Sequence, residues 1–337
     1  MTKSLATRRG VLGSALAAGS VLTGHAAASA SVDAATIQRV NNGTVGIVSG
    51  GVDGTYIRIA ADLETALDDG DRLRVLPIVG KGSMQNMSDI IYLRGVDLGI
   101  VQSDVLAYIL RDNLFPGAGQ TVGYVAKLYD EEVHVLARAA IERLEDLEGK
   151  PVNVDVQGSG TAMTAQLIFK RLNVAIRPRY DNQDLALQKL RSGEIAAMVY
   201  VTGMPARLFT PIGATDDLHF VAIPGVASLL QTYLPARLDH AAYPMLVAED
   251  APVATLAVGA VLAGYAWPAR TERYQRVARL VAALNEKLQA LQTPPHHPKW
   301  REVSLAASVP GWTRLGSVES HVAPGPVRGR GEHPQGS

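Results

Sequence analysis

Thr44-Val45-Gly46-Ile47-Val48-Ser49-Gly50-Gly51-Val52-Asp53-Gly54-Thr55-Tyr56 is the stretch that decides the architecture. Thr44 to Val48 is a short β-rich run, and Gly50 to Gly54 is a glycine-dense turn. Beyond it Tyr56, Ala60, Leu63 and Leu67 recur on one helix face. A strand that ends in such a turn and opens a helix leaves backbone N–H groups unpaired at the helix N-terminus. Glycine lets a ligand approach that backbone, and a Ser or Thr hydroxyl adds a polar contact. The arrangement recurs at Gly80-Lys81-Gly82-Ser83, at Gln157-Gly158-Ser159-Gly160-Thr161 and at Thr202-Gly203-Met204-Pro205. One such turn is unspecific. Four in a chain of alternating strands and helices predict a single cleft that grips a small anion.

The alternation runs outward from this stretch. Arg74–Val79 and Asp97–Val101 read as strands around a helix that Ser83 is placed to cap. Glu132–Ala137 is another strand. A second series follows: a helical turn closed by Gly149, a strand at Val152–Val156, a helix at Ala162–Leu172, a strand at Ile176–Tyr180, a helix at Asp184–Leu190 stopped by Gly193, and a strand at Ile195–Val201. The expected class is α/β with mainly parallel sheets. Glu272–Leu291 is the clearest helix, with Tyr274, Val277, Val281, Leu284, Leu288 and Leu291 on one face and Pro294-Pro295 ending it.

Composition sets the bounds. The 337 residues, 47% hydrophobic, are more natural as two lobes than one. Thirty-two Lys and Arg balance thirty-two Asp and Glu, which gives no electrostatic case for nucleic acid. The absence of cysteine excludes disulfides and thiolate chemistry. Residues 1–30 read as an export signal: Lys3, Arg8 and Arg9, an apolar run from Val11 to Leu22, and Ala28-Ser29-Ala30 as a cleavage site. Arg8-Arg9 resembles a twin-arginine signal, with an ordinary secretory signal as the alternative. The three basic residues are the only charges in this segment, so its removal leaves a net charge of −3 and points to a periplasmic location. Pro252–Trp267 is too short for a membrane span. The polar, proline- and glycine-rich residues 322–337 read as a disordered tail.

The ordered motifs resemble the TAXI-type solute-binding receptors of TRAP transporters. Ser49-Gly50-Gly51-Val52-Asp53-Gly54-Thr55-Tyr56 stands where that family has T-G-x-x-x-G-T-Y. Gly80-Lys81-Gly82-Ser83-Met84-Gln85-Asn86 stands for T-x-G-S-x-x-N, and Asp97-Leu98-Gly99-Ile100-Val101-Gln102-Ser103-Asp104 for D-L-x-x-x-Q-x-D. Asp146–Val152, Gly158–Thr161, Gly193–Ala197 and Gly203–Pro205 follow in order, so the likeness covers roughly residues 44–235. Two positions depart from the pattern, where Ser49 and Gly80 replace threonines. The resemblance implies a two-lobed periplasmic-binding-protein type II-like fold with a hinge and an interlobe ligand cleft. Lobe I would be 44–138 plus 241–315, and lobe II 139–240. The crossings would fall near Val133–Arg138 and Pro244–Glu249.

The candidate ligand-binding residues are Ser49, Gly54, Thr55, Tyr56, Gly82, Ser83, Asn86, Gln102, Ser103, Ser159, Gly160, Thr161, Thr202, Gly203 and Pro205. Each hydroxyl or amide has a plainer alternative in helix capping or core packing. Asp104 would repel a carboxylate but can hold a ligand ammonium, or cap the helix that follows. Lys81 is the one cation inside a turn motif. No catalytic residue, metal site or cofactor is expected. Gly158-Ser159-Gly160 lacks the frame of a nucleophile elbow, no P-loop or G-x-G-x-x-G is present, and no histidine falls near the four turns. His296 and His297 are adjacent rather than at metal-ligand spacing. The expected function is an exported receptor that captures a small carboxylate, such as glutamate, a dicarboxylate or an oxo-acid, for TRAP-type membrane subunits. A sensor that presents its closed form to a signalling receptor is the alternative, and an enzyme on the same fold is a weaker one. The role of Pro295-His296-His297-Pro298-Lys299-Trp300 does not follow from the sequence.

Overall fold

A parallel sheet grows from the opening run. In the computed structural model, which describes residues 33–319, β1 (Thr44–Val48) lies between β2 (Arg74–Ile78) and β3 (Leu98–Gln102). Helices α1 (Ala34–Gly43), α2 (Thr55–Leu67) and α3 (Ser83–Tyr92) surround these strands, and α4 (Val105–Arg111) and α5 (Ala118–Thr121) lead away from them. The long β4 (Val122–Arg138) follows, then β5 (Pro151–Asn153), α6 (Gly160–Arg171), β6 (Arg177–Arg179), α7 (Gln183–Ser192) and β7 (Ala197–Thr202). Then come β8 (Leu218–Phe220), α8 (Ala227–Leu230), β9 (Leu234–Leu238), β10 (Val253–Tyr265), α9 (Glu272–Leu291) and α10 (Gly316–Glu319). The export signal read over 1–30 and the tail read over 322–337 lie outside the described residues.

Among the described residues ten strands form one sheet in the order β2-β1-β3-β10-β4-β7-β5-β6, with β8 on β4 and β9 on β10. It is mixed rather than mainly parallel: β10 runs antiparallel to β3 and β4, and β4 antiparallel to β7. The antiparallel pairs sit where the two lobes join. Val125 and Tyr129 of β4 pack with α2 and α9, whereas Val133 and Val135 pack with α6. In β10, Ala260 belongs to the first of these clusters and Val258 to the second. The crossings therefore fall between Tyr129 and Val133, and between Val258 and Ala260. Both are displaced from the positions read off the sequence. The segment 244–249 precedes β10, and its Val247 packs with Phe209 and Phe220 of the second lobe, as does Tyr243. At the crossing β4 bulges: Gly259 pairs with Asp130 and Val261 with Lys127, so Leu128 and Tyr129 face Ala260 alone.

Each lobe covers its sheet on both faces, which is why β1, β3 and β7 are apolar and buried almost throughout. Helix α9 lays Val277, Val281 and Leu284 against the first lobe. The Pro295–Trp300 segment anchors the same lobe. The His297 N–H and the Trp300 indole N–H both donate to Asp62 Oδ2 of α2, at 2.9 and 2.8 Å. Lys299 beside them bonds Glu132 Oε1 at 2.7 Å, and Glu132 Oε2 accepts the Met204 N–H at 2.7 Å. The segment thus ties the first lobe to the crossing and to the second lobe.

Candidate functional site

Helices α2, α3 and α6 begin at one place. Their first residues line a cavity of ≈ 220 Å³ between the lobes. Each N-terminus brings N–H groups without intrahelical partners and the positive end of the helix dipole. Gly54 and Gly82, at the N-cap positions of α2 and α3, supply no side-chain cap. Ser159 does cap α6, its Oγ accepting the Ala162 N–H at 3.0 Å. Ser83 is not the cap of α3 that the sequence predicts. It is the first helical residue, and its Oγ accepts the Gln102 N–H at 2.9 Å, which binds α3 to the end of β3.

The lobes meet around this cavity. The Thr55 and Thr202 hydroxyls lie 3.1 Å apart in a hydrogen bond across the gap. The Gln85 N–H donates to the Gly158 carbonyl at 3.0 Å, and the Thr164 hydroxyl to Gln102 Oε1 at 3.3 Å. Two glycines make this approach feasible. Gly82 has φ +107°, a region open to glycine, and stands beside Ser159 and Gly160 of the other lobe. A Cβ on Gly160 would overlap Gln102 Oε1 and Ser83 Oγ.

Of the predicted residues, Gly54, Thr55, Tyr56, Gly82, Ser83, Gln102, Ser159, Gly160, Thr161 and Thr202 line this cavity. Five do not. Ser49 is fully buried and donates to the Ile78 carbonyl at 2.8 Å. Asn86 is equally buried, and its Nδ2 donates to the Ser49 and Ile100 carbonyls at 2.7 Å each, holding β1 to β3. Ser103 lies one residue past Gln102 and lines a different cavity. Gly203 packs beneath Tyr129, Lys299 and Thr55, and Pro205 is absent from the wall.

The sequence reading missed the carboxylates. Asp53, Glu131, Asp155 and Asp184 line the cavity, against the single ammonium of Lys81. Burial pushes the Glu131 carboxyl up to about 8, so it holds its proton at neutral pH. The Tyr56 hydroxyl donates to its Oε2 at 2.6 Å. Burial likewise raises Asp155 to about 6, and Asp53 is raised by burial and by the neighbouring Asp184. Tyr200 forms another part of the wall. Glu131 carries no local signal, because it precedes the run that reads as a strand. Asp155 sits between two valines that read as core, and its φ of +70° turns the chain out of β5. No histidine lines the cavity, and among the described residues no group of three or more potential metal ligands converges.

Two α/β lobes, two crossing strands and a cavity between the lobes define a periplasmic-binding-protein type II-like fold, structurally similar to solute-binding proteins. The chain belongs to the NMT1-like family, whose model matches residues 47–309. Among solved structures it is similar to MatC from Rhodopseudomonas palustris with bound malate. That pair is 16% identical with a TM-score of 0.50, covering 78% of this chain and 90% of the other. It also matches the alkanesulfonate-binding protein SsuA from Xanthomonas axonopodis pv. citri bound to MOPS, at 14% identity and a TM-score of 0.47, over 80% and 88% of the two chains.

Proposed function

We propose that the protein is a periplasmic solute-binding receptor of the TAXI type, which captures a small carboxylate and hands it to TRAP-type membrane subunits without chemical change. The observation that carries this reading is the meeting of three helix N-termini, from both lobes, in one interlobe cavity. A carboxylate there meets N–H groups and the hydroxyls of Thr55, Ser83 and Thr161. The carboxylates around it narrow the ligand. A dicarboxylate would face Asp53, Asp155 and Asp184 with only Lys81 opposed, whereas an α-amino acid places its ammonium against them. An amino acid is the preferred class. The export signal and the TAXI motifs support location and partner.

A thermal-shift screen of the protein against amino acids, dicarboxylates, oxo-acids and sugars tests the reading. A ligand at 100 times its Kd adds about 2.7 kcal/mol of stability. An amino acid that raises Tm, is recovered unchanged, and binds less tightly to Thr55→Ala and Asp155→Asn is the expected result. A response confined to neutral sugars would overturn it. Cell fractionation tests the location, and uptake by vesicles carrying TRAP membrane subunits tests the partner.

A further inference from the structure

Where β3 ends, Gln102 lines the first cavity, and the next two residues, Ser103 and Asp104, line a second of ≈ 690 Å³. Its walls come from both lobes and both crossing strands. Tyr108 of α4 stands on one side and Leu167 and Arg171 of α6 on the other, with Asp130 of β4 and Gly259 of β10 between. The bulge in β4 shapes this wall, because it turns Lys127 and Asp130 to the same side, where they pair at 2.9 Å.

Asp104 is only 8% exposed, and neither of its carboxylate oxygens has a hydrogen-bond partner among the described residues. Its side chain does not cap α4. The charges around it are otherwise engaged. Lys127 holds Asp130 and Arg111 pairs with Asp112 at 2.7 Å, whereas Arg171, which donates to the Thr232 hydroxyl at 2.9 Å, acts on Asp104 through its charge without bonding it. The Tyr233 hydroxyl interacts with Asp104, but no well-formed hydrogen bond joins the two. One phenol cannot satisfy a carboxylate that accepts at several lone-pair sites. A buried carboxylate is costly unless it meets an opposite charge with hydrogen-bond donors. An ammonium supplies both. Val258, Val261 and Val309 give the wall an apolar part that suits a hydrocarbon body.

We infer that this second interlobe cavity binds a small organic ammonium, its nitrogen on Asp104 and its apolar part against α6 and β10. Because the walls belong to both lobes, occupancy favours the lobe arrangement that forms the cavity and is linked to affinity in the first one. The inference does not depend on the identity of the first cavity's ligand.

Calorimetric titration of the full chain with phenethylamine and cadaverine, with phenethyl alcohol as the neutral control, tests it. The amines should bind and the alcohol should not compete. Asp104→Asn should weaken the amines roughly ten- to a hundredfold, the worth of a charge-assisted hydrogen bond. Ala107→Trp, at an exposed α4 position on the cavity rim, should block them without touching Asp104, and it carries the test if Asp104→Asn fails to fold. Absence of amine binding at millimolar concentration would overturn the inference. So would amine binding unchanged in both variants, or binding abolished by Asp155→Asn alone, which would place the amine in the first cavity.

Discussion

Gly160 shows how much of the site depends on single atoms. It opens α6 and sits against Gln102 and Ser83 of the opposite lobe, so an added Cβ forces the lobes apart. Gly160→Ala should keep the fold by circular dichroism yet lose roughly tenfold or more in ligand affinity by calorimetry, in line with the 1–3 kcal/mol that overpacking costs. Glu131 makes a different demand. Its folded pKa of about 8 lies above its ordinary value of 4.5, so the folded state binds the extra proton. The stability this gives is full below about pH 4.5 and is lost as pH rises through 8. Melting curves should show Tm falling across that range, and Glu131→Gln should flatten the fall. Residues of the glycine turns were legible in the sequence because their types are chosen for backbone approach. Glu131 and Asp155 were not, because nothing local distinguishes a carboxylate that meets a cavity from one that meets water. The candidates that lie outside the cavity wall show the converse. Ser49 and Asn86 carry hydroxyl and amide groups at the right turns, but the strands consume them.

Elements were read best where periodicity is strong. β1, α2 and α9 are all anticipated, α9 over its full span, because each buries a regular apolar face. Leu284, fully buried in the core beneath α9, should cost about 2–5 kcal/mol when replaced by Ala, measured by denaturant unfolding. The two crossing strands were read poorly. Lys127, Asp130 and Glu131 interrupt the apolar pattern of β4 where it leaves one core before entering the next, so only its second half looks like a strand. β10 shows an apolar run, but its antiparallel pairing with β3 and β4 depends on partners more than a hundred residues away. Pairing direction is a non-local property, and for that reason the sheet was expected to be mainly parallel.

At the scale of the whole molecule, the lobes are held by more than the strands. Lys299 is 6% exposed and Glu132 9%, and their 2.7 Å contact links the C-terminal anchor to the crossing. Removing one member of a buried pair strands the other. Lys299→Met should therefore lower unfolding free energy by about 3–5 kcal/mol, and Glu132→Gln in the same chain should recover part of the loss. Thermal unfolding of the two variants decides this. The division into lobes was legible from chain length and motif order. The exact crossings were not, since they depend on which core each strand residue enters.

The bulge of β4 also determines what kind of joint this is. A door turns on a pin, with no restoring torque. Here both connections are hydrogen-bonded to each other through the joint, so the lobes swing as a flexure, by twisting a two-stranded leaf. Compliance concentrates where Leu128 and Tyr129 share one opposing residue, Ala260. The swing of the lobes is then an elastic constant written into one surplus residue, adjustable without altering either lobe.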